Sequence, residues 1–151
     1  MKKKNTIYFN LPFVSGNEIR YIKDVIKKKS FQGNREFTKK CNFWIEKNFK
    51  CERSIITNSC TNALEMIAII LGIKAGDEII MPSYTFVSTA NSFVLRGAVP
   101  VFVDIHPLTL NINEDLIEEA ITNKTKVIVV VHYAGVSCNM NKILKIAKKH
   151  N

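Results

Sequence analysis

The chain has 151 residues, of which 46% are hydrophobic and 23% are charged, and its formal net charge is +9. This composition is typical of a globular protein with a core and excludes a disordered tail. No apolar run approaches the roughly 18 residues of a membrane-spanning helix, and no apolar signal-peptide segment follows the basic first residues, so we expect a cytoplasmic protein.

Two helices are predicted in the first third of the chain, over residues 17–29 and 36–49. The residues between them form a turn, in which Gly33 supplies conformational freedom. This third is basic, because residues 1–50 hold 13 basic and 4 acidic side chains, whereas residues 51–151 hold nine of each. It could be a nucleic-acid-binding arm.

The spacing of these lysines argues against that role. They are interleaved with isoleucine and valine at helical intervals, which is typical of the solvated face of an amphipathic helix. We therefore expect neither nucleic acid nor a membrane as a partner.

Strands and helices alternate regularly after residue 52. The chain therefore divides into a helical segment, residues 1–52, which we expect to pack on a large domain, and an α/β segment, residues 53–151. The alternation predicts an α/β fold with a mainly parallel sheet, flanking helices and right-handed crossovers. The predicted strands cover residues 53–57, 78–81, 100–103 and 127–131, and the predicted helices cover residues 62–71, 85–96, 113–122 and 141–149.

We expect this sheet to be incomplete. The last predicted element is a helix, followed by His150 and Asn151, where the alternation requires another strand. Four strands could also stand alone. An incomplete sheet would leave an unpaired apolar edge, which favours poor solubility or self-association.

Several common site motifs are absent from the sequence. The four cysteines contain no C-x-x-C pair and only three histidines accompany them. We therefore expect neither a zinc site nor a disulfide framework. The six glycines contain no G-x-G pair and no G-K-[ST] sequence occurs, so the dinucleotide-binding fingerprint and the P-loop are excluded.

Three small polar residues, Ser59, Cys60 and Thr61, stand between a predicted strand and a predicted helix. The first N–H groups of a helix have no partner within it, and the helix dipole adds partial positive charge there. Small side chains let a phosphate approach these groups. The alternative, which the spacing alone favours, is that Ser59 or Thr61 is simply a helix N-cap.

Two aromatic residues, Tyr84 and Phe86, follow the next predicted strand. Ligands of α/β proteins bind at the carboxyl ends of parallel strands, where either ring could stack on a flat ligand. Packing of both rings in the core is an equally good interpretation of the sequence.

Three segments together resemble a known family: TNSCTNALEM, PSYTFVSTANSFVLRGAVPVFVDI and VIVVVHYAG. They are similar to the DegT/DnrJ/StrS family of nucleotide-sugar aminotransferases, and the resemblance extends over almost the whole chain. It implies the large domain of fold type I with pyridoxal 5′-phosphate (PLP) as cofactor, here only its N-terminal part, and a homodimer.

Within the family, the pattern is most similar to transaminases of enterobacterial common antigen synthesis. The resemblance therefore implies that an amino donor, glutamate, supplies nitrogen to the 4-keto carbon of a dTDP-sugar, a dTDP-4-keto-6-deoxyhexose, for cell-surface polysaccharide.

The resemblance also implies cofactor-binding residues. Ser59, Cys60 and Thr61 match the phosphate-binding turn, with the N–H groups of Cys60 and Thr61 as donors. Phe86 matches the aromatic residue that stacks on the pyridine ring, where many members have tryptophan.

The implied substrate-binding residues lie elsewhere in the chain. The loop of Gln32, Gly33 and Asn34 resembles a glycine-rich loop near the sugar-nucleotide site, although relatives carry Gly-Asp-Gly there. His132 and Tyr133, after the valine-rich strand, are expected to approach the cofactor or the substrate.

The family's catalytic residues have no counterpart in the 151 residues. The acid that pairs with the pyridine nitrogen and the Schiff-base lysine would both come after Asn151. We therefore expect the chain alone to be inactive in transamination. The alternatives are a stand-alone phosphate- or nucleotide-binding module, a non-catalytic remnant and a basic interaction protein.

Overall fold

The computed structural model describes residues 7, 8 and 10–151. The chain separates into two units, one ending at Ile56 and the other covering Thr57–Asn151. The first unit contains helices α1, Glu18–Lys27, and α2, Glu36–Phe49, which confirms both predicted helices. Neither of these helices, each fully described, contains a buried residue.

The turn between α1 and α2 departs from the prediction in one respect. Gly33 does not adopt a positive φ, whereas Lys29 and Asn34 do, at 50° and 56°. Asparagine tolerates the left-handed region better than most residues because its short polar side chain bonds locally. The predicted conformational role of Gly33 is therefore wrong, and Asn34 has that role.

The second unit is an α/β layer structure built around a three-stranded parallel sheet. The strand order is β2-β1-β3, with β1 in the centre and parallel to both neighbours. The predicted parallel α/β architecture is thus confirmed. In chain order the elements are α3, Cys60–Ile70; β1, Glu78–Pro82; α4, Val87–Val94; β2, Val99–Val103; β3, Thr125–Ile128; and α5, Met140–His150.

Each face of the sheet packs on a separate core. Successive side chains of a strand point to opposite faces, and Ile79, Ile80 and Met81 of β1 are fully buried. Ile79 and Met81 pack in one cluster with Phe93 of α4, whereas Ile80 packs in the other with Ile143 of α5. Helices therefore cover both faces, and the loops after the strands meet at one edge of the sheet.

The predicted strand over residues 53–57 is wrong, because no strand forms there. The Ser54 N–H donates to Glu46 Oε1 at 3.0 Å, and the Ser54 hydroxyl donates to the Asn42 carbonyl at 3.0 Å. The Ser54 N–H thus bonds to a side chain of α2 and not to a neighbouring strand.

The predicted helix over residues 113–122 is also wrong, and only a 3₁₀ turn, Glu118–Ala120, forms there. The Asn113 N–H donates to the Asp104 carbonyl at 2.9 Å, next to an antiparallel bridge between Ile105 and Ile112. The Asn113 side chain accepts the Asp115 N–H at 3.1 Å and so closes a turn. A turn that follows this bridge thus takes the place of the first turn of the expected helix.

Within the described residues, β3 pairs only with β1, so its other edge is open. A groove of about 570 Å³ lies between this edge and α5. The groove lining includes Val127, Ile128, Val130, Met140 and Leu144. The expected self-association through an open strand edge stays a prediction.

No helix in residues 7, 8 and 10–151 has the length and apolar character needed to cross a membrane.

Candidate active site

The first turn of α3 begins two residues earlier than predicted. Ser59 is its N-cap, in extended backbone, and the Ser59 hydroxyl accepts the Asn62 N–H at 3.1 Å. Cys60 and Thr61 are the first two helical residues, and within the described part of the chain their N–H groups have no acceptor. Ser59 is therefore an N-cap, and two donors beside it stay free for a ligand.

The starts of α3 and α4 lie side by side. The Thr61 hydroxyl donates to the Ser88 hydroxyl at 3.0 Å, and Ser88 is in the first turn of α4. Two helix N-termini, each with partial positive charge, thus meet beyond the carboxyl end of β1. Sequence analysis missed Ser88 because a hydroxyl residue in a first helical turn is too common to be a signal.

Phe86 and Tyr84 are not core residues. Phe86 is the N-cap of α4 and its side chain is 74% exposed, while Tyr84 is 47% exposed. Both follow Pro82, where β1 ends. The alternative that both rings pack in the core is therefore wrong, and the face of Phe86 is accessible.

Tyr133, which follows β3, meets Tyr84, which follows β1. Their hydroxyl oxygens are 3.3 Å apart and their ring centroids 5.2 Å apart. The hydrogen bond with Tyr84 raises the pKa of the Tyr133 phenol above its ordinary value. His132 is exposed beside this pair. The parallel sheet thus collects aromatic and polar side chains from distant segments at one edge.

The cysteines and acids form no metal site in the described residues. No group of three or more His, Cys, Asp or Glu side chains is placed there to hold a metal ion. Cys41, Cys51 and Cys60 are exposed and Cys138 is buried. The groups described so far at this edge are backbone N–H groups, hydroxyls, aromatic rings and the His132 imidazole.

Comparison with known families assigns the chain to one of them. The profile of the DegT/DnrJ/EryC1/StrS aminotransferase family matches residues 14–151. The chain belongs to this family. The family that the sequence segments had indicated is thereby confirmed.

Two relatives are similar along most of the chain. SpsC, a spore coat polysaccharide biosynthesis protein of Bacillus subtilis, is 35% identical over 153 residues, which cover 99% of this chain and 38% of SpsC. The uncharacterized protein MJ1066 of Methanocaldococcus jannaschii is 50% identical over 98 residues, or 65% of this chain and 25% of MJ1066.

A solved structure extends this likeness to the fold. Spr1654 of Streptococcus pneumoniae, assigned as a sugar aminotransferase and solved in its PLP form, is 32% identical with a TM-score of 0.84. The match covers 95% of this chain and 36% of Spr1654. The chain thus spans between a quarter and two fifths of the length of these three proteins.

The family's expected sugar-nucleotide loop belongs to the first unit. Gln32, Gly33 and Asn34 are all exposed there. The Arg35 guanidinium Nε donates to Gln32 Oε1 at 3.2 Å, which braces the loop at the start of α2. The substrate-binding role of these three residues stays a prediction.

Proposed function

We propose that this chain is part of the cofactor-binding domain of a PLP-dependent aminotransferase that acts on nucleotide sugars. One observation carries the proposal. In a chain of this family, two free N–H donors at the start of α3 stand next to a first turn of α4 whose N-cap, Phe86, exposes its ring.

The proposed phosphate cup consists of the N–H groups of Cys60 and Thr61, with Ser59 capping the helix. Charge supports this role, because a phosphate dianion is stabilised where helix dipoles end and N–H groups converge. The hydroxyl pair of Thr61 and Ser88 adds a polar wall at the same place. These residues fit a phosphate group without any lysine or arginine.

The proposed ring wall is Phe86, whose exposed face would lie against the pyridine ring of PLP. Phenylalanine is smaller than tryptophan, so we expect weaker stacking than in relatives with tryptophan there. When bound, PLP carries the amino group and withdraws electrons from the reacting carbon. The residues described here bind and orient it.

The proposed substrate is a dTDP-4-keto-6-deoxyhexose, with glutamate as amino donor, in cell-surface polysaccharide synthesis of the enterobacterial common antigen type. The name of Spr1654, a sugar aminotransferase, supports a sugar substrate. The name of SpsC, a spore coat polysaccharide biosynthesis protein, supports a role in polysaccharide synthesis. We assign Gln32, Gly33 and Asn34 to the nucleotide and His132 and Tyr133 to the cofactor or sugar. The working enzyme is proposed to be a cytoplasmic homodimer.

Proline at residue 60 tests the phosphate cup with little disturbance of the fold. Proline is favoured at the first helical position, where its missing N–H breaks no helical bond, and Ser59 already has the extended backbone that precedes proline. We expect Cys60→Pro to weaken PLP binding about tenfold, as loss of one hydrogen bond to a charged group does. Cys60→Ala, the matched control, keeps the N–H and should bind normally.

The measurement is a titration of each variant with PLP, followed by the absorbance or fluorescence of the cofactor. Phe86→Leu, which keeps an apolar side chain but removes the ring, should weaken binding severalfold in the same titration. Equal affinities for Cys60→Pro and Cys60→Ala would rule out the cup. Binding of a dTDP-sugar without PLP would instead favour a stand-alone nucleotide-binding module.

A further inference from the structure

One buried amide holds the turn that follows β3. Asn111 is only 4% exposed, and its Oδ1 accepts the Tyr133 N–H at 2.9 Å while its Nδ2 donates to the Val136 carbonyl at 3.0 Å. Between these two bonds, Ala134 adopts a left-handed φ of 50°, which a residue with a Cβ rarely does. Asn111 therefore fixes both ends of a turn with an unfavourable conformation.

The same turn fixes the imidazole of His132. The Cys138 N–H donates to His132 Nδ1 at 3.0 Å. Cys138 is itself held, because it is 5% exposed and its Sγ donates to the Val131 carbonyl at 3.2 Å. A backbone N–H can only donate, so Nδ1 carries a lone pair, and the hydrogen of the neutral ring is on Nε2.

Nε2 is left without a partner in the described residues, and the His132 side chain is exposed. The next residue, Tyr133, reaches the hydroxyl of Tyr84 at the carboxyl edge of the sheet. His132 thus exposes one N–H in the segment after β3, next in the chain to the residue that meets Tyr84.

We propose that His132 is a neutral hydrogen-bond donor, through Nε2–H, to an oxygen atom of the bound ligand, and that Asn111 is the residue that positions it. The inference rests on the proposed function, since it names how one side chain of that site meets its ligand. His132 is not a general base, because the Cys138 N–H occupies the lone pair of Nδ1 and Nε2 carries the hydrogen. The acceptor oxygen belongs to PLP or to a nucleotide sugar.

The first test needs no ligand. In the 151-residue chain labelled with ¹⁵N, the bond between Cys138 N–H and His132 Nδ1 should give a ¹⁵N–¹⁵N coupling across the hydrogen bond. Long-range ¹H–¹⁵N spectra should show the hydrogen on Nε2. Asn111→Ala should abolish the coupling if Asn111 positions the ring. An Nδ1–H tautomer, or no coupling in the unaltered chain, would overturn the assignment.

The second test compares His132→Gln with His132→Phe. Glutamine places an amide N–H close to the position of Nε2, whereas phenylalanine keeps the ring shape without a donor. We expect phenylalanine to weaken binding roughly fivefold to tenfold and glutamine to preserve most of it. Titrations with PLP and with thymidine diphosphate show which of the two carries the acceptor oxygen.

If Asn111 acts on the ligand only through His132, Asn111→Ala combined with His132→Phe should weaken binding no more than His132→Phe alone, whereas a further loss would show that Asn111 also acts through Tyr133. Equal binding by His132→Phe and the unaltered chain would overturn the donor role while leaving the proposed function intact. Failure of the unaltered chain to bind PLP would instead contradict the proposed function and the ligand-facing part of this inference. The ¹⁵N–¹⁵N coupling would still show whether the Cys138 N–H donates to His132 Nδ1.

Discussion

The two units of the chain contain helices of similar length but differ in what covers them. In the first unit, Phe43 and Trp44 of α2 are 66% and 60% exposed. In the second, Ile79, Ile80 and Met81 of β1 are completely buried. Apolar spacing along a helix therefore creates only an apolar face, whereas burial requires a second layer, which in the second unit is the parallel sheet.

The charged groups differ in the same way. In the first unit, Glu36 pairs with Lys28 at 2.7 Å and with Lys40 at 2.6 Å, all three side chains being more than 40% exposed. In the second unit, Glu114 is 13% exposed and accepts hydrogen bonds from Asn139 and the His106 ring. Exposed pairs stabilise a fold little, so the second arrangement should matter more.

The largest expected contrast comes from removing one aromatic ring in each unit. Phe93 is 1% exposed, so Phe93→Ala should lower the free energy of unfolding by about 3–5 kcal/mol. Phe43→Ala, its matched control in α2, should change it by no more than about 0.5 kcal/mol. Urea unfolding followed by circular dichroism measures both. Similar losses for the two variants would contradict the conclusion that Phe93 is buried and Phe43 is exposed.

Glycine substitutions should give a smaller contrast. Gly97 has a φ of +83°, and a Cβ there would lie 2.9 Å from Cα and Cβ of Ala75, so Gly97→Ala should cost about 2 kcal/mol. Gly33 has no positive φ and no atom within 4 Å of an added Cβ, so Gly33→Ala should be neutral or slightly stabilising. Thermal unfolding of the two variants checks this, and a clear loss for Gly33→Ala would contradict the described turn.

The smallest expected contrast is between two carboxylates. Burial tends to raise the pKa of Glu114, but hydrogen bonds from its own backbone N–H, Asn139 and His106 outweigh it and lower the pKa below the ordinary 4.5. Stability from Glu114 is therefore present above pH 4.5 and lost as the pH falls through its folded pKa. Glu114→Gln should cost about 1 kcal/mol at neutral pH and reduce this acid dependence.

Glu36 serves as the matched exposed group. Hydrogen bonds from Lys28 and Lys40 lower its pKa from 4.5 to about 2. The sign is the same, with any contribution lost between pH 4.5 and about 2, but solvent screens this exposed cluster. Glu36→Gln should therefore leave the unfolding midpoint unchanged at neutral pH. An effect as large as that of Glu114→Gln would mean that the ion pairs of the first unit stabilise its fold.

Local patterns predicted the elements that satisfy their own hydrogen bonds. Helices need only periodic apolar side chains and a suitable first turn, so α1 to α5 were all expected, although α3 and α4 differ from the prediction by a few residues. Small size made Cys60 and Thr61 candidates for a phosphate site, and its place after a strand made Phe86 a candidate for ring stacking; these roles stay predictions. Family resemblance, and not spacing, made a phosphate site the preferred interpretation.

The wrong predictions share one physical cause. Residues 53–57 and 113–122 have the local pattern of a strand and a helix, but one backbone N–H in each segment bonds to a partner eight or nine residues earlier in the chain. Ser54 bonds to α2, and Asn113 bonds to Asp104. Such a bond depends on how the preceding residues fold back, and the apolar pattern of the segment itself does not show this.

The sequence alone indicated the family, the α/β architecture with a parallel sheet, and the candidate residues for a phosphate site. Only the tertiary structure brought Thr61 beside Ser88, Tyr84 beside Tyr133, and Cys138 onto the ring of His132. The first two contacts join residues 27 and 49 positions apart, whose separation depends on sheet order, whereas the third closes a loop within six positions. Packing of the whole unit therefore decided them, because a hydrogen bond needs both partners within about 3 Å and no local pattern sets that distance.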